Sequence, residues 1–140
     1  MLLLGQHMAE IFEFPANYSF SKSEEFLQKN EFKLLGNAIL QGIYKGYFKV
    51  IAHPDRIFRR CLDWNNDMEK LSIEIIQAAI KEDISLEMNL SSAENQLYFK
   101  REFLKIVPKS ARRVIGLDAH SINDLKQRMK NMQTLLKSFY

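Results

Sequence analysis

The chain has 140 residues, enough for one domain and too few for two of ordinary size. Its hydrophobic fraction of 46% and charged fraction of 26% are those of a globular protein rather than a disordered or fibrous one. Twenty Lys and Arg against seventeen Asp and Glu leave a net charge of +3, which admits an anionic substrate but lacks the dense basic stripe of a nucleic-acid binder.

A single cysteine, Cys61, excludes a disulfide framework and a Cys-based zinc site. It fits a reducing, cytoplasmic location and reads as a small buried filler. The apolar opening Leu2-Leu3-Leu4 stops at Gly5, too short for the apolar region of a signal peptide. No apolar run approaches the roughly 20 residues of a membrane span, so no membrane partner is expected. The expectation is one domain over residues 1–140 without an internal linker.

Leu2 to Leu4 reads as a short buried strand. Ser21-Lys22-Ser23-Glu24 is a capping-box signature that opens a helix. Phe26, Leu27, Leu34, Leu35, Ala38, Ile39 and Ile43 recur along it at helical spacing, and Gly42 and Gly46 place its end nearby. Residues 48–51 read as a strand that Pro54 stops. Asn66 with Glu69 predicts the next helix start, and Met68, Leu71, Ile75, Ala78 and Ala79 form its apolar stripe. Residues 85–88 read as a strand, residues 99–107 as a short helix stopped by Pro108, and residues 113–116 as a strand. Ser121 with Asp124 caps a last helix, on which Leu125, Met129, Met132 and Leu136 are expected to form the buried face. Alternating strands and helices predict an α/β fold with parallel strands and helical crossovers. Chemistry in such folds sits at the C-terminal strand ends.

The three histidines test that rule. His7 follows the first apolar run, His53 comes two residues after Ile51, and His120 comes four after Gly116 with Asp118 between. In an extended segment Asp118 and His120 would point to the same side and converge on one cation. Histidine with carboxylate is a ligand set of zinc, manganese and iron sites. Arg56, Arg59 and Arg60 follow His53. A guanidinium makes forked hydrogen bonds to phosphate, and Arg56, nearest His53, is the better candidate; a solvated helix start is the competing reading of all three. Glu87 and Asn89 end the third strand on alternate residues. Asn89 either orients a ligand or bonds the backbone, the second being favoured. His53-Pro54-Asp55 also marks the co-chaperone J-domain, between two helices. Here a β-branched run, Val50-Ile51, leads into it and no J-domain helix pattern surrounds it.

At these residues the chain resembles the PHP (polymerase and histidinol phosphatase) superfamily. Phe48-Lys49-Val50-Ile51-Ala52-His53-Pro54-Asp55-Arg56 is similar to its third metal motif. Gly116-Leu117-Asp118-Ala119-His120 is similar to its fourth, a Gly-Ser-Asp-Ala-His consensus, with Leu117 in place of Ser. Leu4-Gly5-Gln6-His7 is similar to the segment that brings another ligating histidine, and Leu86-Glu87-Met88-Asn89 to the strand between the two motifs. Order and spacing match the histidinol-phosphatase branch. The resemblance implies a partial (β/α)7 barrel with two or three divalent metal ions (zinc, manganese or iron) at the strand ends in a complete site. It implies His7, His53, Asp118 and His120 as metal ligands, Arg56 as a phosphate contact, and hydrolysis of a phosphomonoester such as L-histidinol phosphate. The family's opening His-x-His motif is expected before His7, which makes the chain the C-terminal portion of such a barrel. That leaves two alternatives to a phosphatase: a non-catalytic metal- or phosphate-binding remnant, and a nuclease-type domain, the latter disfavoured by the modest charge. A partial barrel with an open strand edge predicts a homo-oligomer.

Overall fold

A computed structural model describes residues 2–5, 10, 11, 17, 18, 24–96 and 99–139. In chain order it contains β1 (Leu3–Leu4), β2 (Glu10–Ile11), β3 (Asn17–Tyr18), α1 (Glu24–Tyr44), β4 (Val50–Ile51) and a 3-10 turn (Pro54–Phe58). There follow α2 (Asn66–Lys81), β5 (Ser85–Asn89), α3 (Leu90–Glu94), α4 (Arg101–Ile106), β6 (Arg113–Gly116), α5 (Ile122–Leu136) and a final 3-10 turn (Lys137–Phe139).

Four strands form one parallel sheet in the order β1-β4-β5-β6, and β2 pairs with β3 in a separate antiparallel ribbon. The sheet order is the chain order. Leu4 stands opposite Ile51, Ile51 opposite Leu86, and Asn89 opposite Gly116. This register puts the ends of β4, β5 and β6 at one edge, where His53, Asn89 and Asp118 follow or finish them. The expected α/β architecture with parallel strands is therefore present.

Local signals explain most boundaries. Asn65 Oδ1 accepts a hydrogen bond from Met68 N at 3.1 Å, so the cap of α2 is one residue earlier than the sequence suggests. Ser121 Oγ caps α5 through Asp124 N at 3.0 Å, as expected. Gly46 ends α1 with a φ of 74°, the left-handed conformation that favours glycine. Gly42 lies inside α1 instead of ending it, because a Cβ there would meet Leu4 Cδ2 at 2.7 Å. The proposed Ser21 cap lies outside the described residues.

The core runs between the helices and the sheet. Leu35, Ile39 and Ile43 of α1, Met68 and Ile75 of α2, and Ile51 and Leu86 of the sheet are almost fully buried. Phe58 sits among Phe32, Trp64 and Phe103, with ring centroids 5.8, 5.2 and 6.4 Å away. The expected buried face of α5 is a correction. Leu125 and Met129 are exposed, Met132 and Leu136 are half-buried, and Arg128 is the buried residue of that helix. The apolar spacing is helical, but only its C-terminal half, Met132 and Leu136, packs against the core. Among the described residues no helix is long and apolar enough to cross a membrane.

Candidate functional site

Three strand ends build the site. After β4 the chain turns at His53, whose φ of 33° and ψ of 59° are left-handed. A left-handed residue directly before Pro54 is unfavourable without support. Support comes from β5: Glu87 Oε2 accepts from His53 N at 2.7 Å and from Asn89 Nδ2 at 3.0 Å. Glu87 is buried, and its carboxylate reaches this position because Gly116 on the neighbouring strand has no side chain.

The 3-10 turn then delivers Arg56. Its Nε donates to Ser92 Oγ at 2.9 Å, and its Nη2 donates to Asn89 Oδ1 at 3.2 Å and to Asp118 Oδ2 at 2.7 Å. Asn89 bonds the backbone, the role favoured above: its Oδ1 also accepts from Ser92 N at 2.9 Å and caps α3. Arg59 and Arg60 are not a solvated helix start. They reach back to the buried carboxylate of Glu31 on α1, at 3.3 and 3.1 Å, and tie the turn to the core.

Asp118 follows β6 with a φ of 48°. The convergence of Asp118 and His120 thus comes from a left-handed turn, which corrects the extended geometry expected. Asp118 Oδ1 lies 3.4 Å from His120 Nε2. Arg128 of α5 holds the loop from behind: its Nη1 donates to the carbonyls of Leu117 and Asp118, and its Nε pairs with Glu94 at 3.0 Å. Among the described residues His53 and Asp118 are two of three non-glycine residues with positive φ, so backbone strain collects in the site.

His53, Arg56, Glu87, Asn89, Asp118 and His120 line one cavity of about 230 Å³. His53 is buried, whereas the His120 side chain is largely exposed. Burial pushes the Asp118 carboxyl up, but the hydrogen bond and charge of Arg56, helped by His53 and His120, outweigh it and hold it below the ordinary value. Beside the cavity, burial pushes Asp55 up to about 7, against the opposing pull of the Lys100 backbone N–H, its own N–H and Arg56. Burial likewise pushes the Cys61 thiol up to about 11, as befits a buried filler.

Of the five site residues expected from sequence, His53, Arg56, Asp118 and His120 come together; His7 lies outside the described residues. Among the described residues no group of three or more His, Cys, Asp or Glu side chains is drawn close enough to hold a metal ion. Ser92, Arg128 and Glu94 carried no signal in the sequence, because their partners lie on other elements. No family model, no curated protein and no solved structure matches this chain.

Proposed function

We propose that the chain contributes a metal-dependent phosphoesterase site of the histidinol-phosphatase type, acting on a small phosphomonoester such as L-histidinol phosphate. The observation that carries this reading is the gathering of His53, Arg56, Asp118 and His120 around one cavity at consecutive parallel strand ends. The sheet order supports the barrel part of the reading. Strands taken in chain order and joined by right-handed crossovers keep their helices on one face. The alternation along β5 then leaves Glu87 and Asn89 on the face opposite Leu86 and Met88.

The donor spacing suits a cation. Two ligands of a tetrahedral ion with bonds of about 2.0–2.2 Å lie roughly 3.4 Å apart. Asp118 Oδ1 and His120 Nε2 have that separation. His53 would supply a third ligand from across the cavity, and the family resemblance adds His7. A divalent cation there supplies Lewis acidity toward phosphate oxygens and toward water.

The chain's own residues do the rest. Asp118 stays ionised well below neutral pH, so it is ready as a ligand without losing a proton first. Arg56 is held at Nε and Nη2, and among the described residues its Nη1 makes no hydrogen bond. That arm would receive a phosphate oxygen and stabilise the equatorial charge as the phosphorus–oxygen bond breaks. Glu87 holds His53 N, and Arg128 holds the carbonyl of Asp118, so both position the candidate ligands.

A second reading is a binding remnant without turnover. It is favoured by the Arg56–Asp118 ion pair, which occupies one carboxylate oxygen, and by the lack of a three-ligand cluster among the described residues. The test is phosphate release from L-histidinol phosphate by metal-loaded protein. Release that disappears in Asp118→Ala supports the phosphatase; a metal-loaded protein without release supports the remnant.

A further inference from the structure

A larger cavity, about 690 Å³, opens at the other end of the sheet. Arg101 and Lys105 of α4, Lys109, Arg113 at the start of β6, and Lys137 line it, and among the described residues no Asp or Glu lines it. It shares no lining residue with the candidate metal site, so the two cavities are separate.

Five of the chain's twenty Lys and Arg residues line this one concavity. Low-dielectric walls focus such a field, and like charges held together repel until an anion joins them. Arg113 is fixed from one side, its Nη2 donating to the carbonyls of Val107 at 2.8 Å and Pro108 at 3.4 Å. Among the described residues its buried Nε has no hydrogen-bond partner. The remaining wall is apolar: Leu104, Val107, Pro108 and Phe139. Phe139 is buried and held edge-on by Phe99, ring centroids 5.4 Å apart.

We propose that this cavity is a second ligand site, for a small molecule that carries two or more phosphates on an apolar or aromatic body. The volume lies within the roughly 300–1,000 Å³ of small-molecule sites. Lysine ammoniums and an arginine fork suit several phosphate groups at once. The apolar wall takes the body of the ligand. A nucleoside triphosphate meets both demands.

The test is calorimetric titration of the full chain with ATP, inorganic triphosphate, adenosine and citrate, in buffer with chelator so that the metal site does not contribute. ATP is expected to bind more tightly than triphosphate, and adenosine and citrate weakly. Lys105→Glu with Lys109→Glu, both exposed residues, should weaken ATP by at least about tenfold. The paired Gln variants should give a smaller loss in the same direction, and Asp118→Ala should change nothing. The proposal is overturned if ATP does not bind at millimolar concentration, or if the charge reversals leave its affinity intact while circular dichroism shows a folded chain. Loss of ATP binding in Asp118→Ala overturns it too, by placing the ligand in the other cavity. ATP no tighter than triphosphate overturns it as well, because the apolar wall then contributes nothing to binding. A single-stranded oligonucleotide that outcompetes ATP would make the surface a nucleic-acid site instead.

Discussion

Gly116 lies so close to Glu87 that a Cβ on it would fall 1.7 Å from Glu87 Oε1. The glycine is therefore part of the site without touching any candidate ligand. Its missing side chain lets the Glu87 carboxylate hold His53 N and Asn89 Nδ2 together. Gly116→Ala should displace that carboxylate and lower stability by about 1–3 kcal/mol. Urea denaturation checks this; an unchanged midpoint would show that Glu87 has room to move.

Arg56 and Asp118 form an ion pair in the lining of the cavity. In Arg56→Ala the burial of Asp118 is no longer opposed by that hydrogen bond and charge, so its carboxyl should titrate at higher pH. The folded-state pKa in the parent is depressed. Its stabilising contribution is thus present above the unfolded value and lost as pH falls through the folded one; in the variant that contribution shrinks. A carboxyl-carbon NMR titration of both proteins measures it. A titration unmoved by the substitution would mean that the pair does not persist in solution.

Asp55 behaves in the opposite sense. Its folded pKa of about 7 lies above the ordinary aspartate value of 3.8. The fold binds more protons there than the unfolded chain, so stability should fall as pH rises between the two values. The full effect is on the order of 4 kcal/mol at most. Denaturation of metal-free protein at pH 5 and pH 8 should show the loss, and Asp55→Asn should flatten it. Equal midpoints in the parent at both pH values would contradict this.

The sheet has open edges among its described strands, and apolar surface lies near one of them. Leu3 on β1, Ile115 on β6, and Ile122, Leu125 and Met129 on α5 are all exposed. An uncovered strand edge and apolar patch favour self-association. Light scattering at micromolar concentration should give a dimer or larger species, shifted toward monomer by Leu125→Glu with Met129→Glu. A monomer from the parent chain would show that these surfaces are tolerated in water.

Much of this was legible in the sequence, and the limits have physical causes. Strand residues 113–116, the Ser121 cap and the α2 stripe are local signals, and each lies where spacing and capping place it. Each motif spans only a few residues, so the meeting of His53, Arg56, Asp118 and His120 in one cavity could be expected before any fold was known. Ser92 and Arg128 could not, because a serine and an arginine gain their meaning from partners across the fold, 36 and 10 residues away along the chain. The α5 error has a similar root. Period 3.6 shows that Leu125 and Met129 share a stripe, but whether anything covers the stripe depends on elements outside it.

The central claim is that His53, Asp118 and His120 hold a divalent cation. Elemental analysis of the protein after equilibration with zinc or manganese and removal of free metal tests it most directly. The account predicts at least one metal ion per chain, lost in Asp118→Ala while the fold is kept. A folded parent chain that retains no metal, or an Asp118→Ala chain that retains as much as the parent, would contradict it.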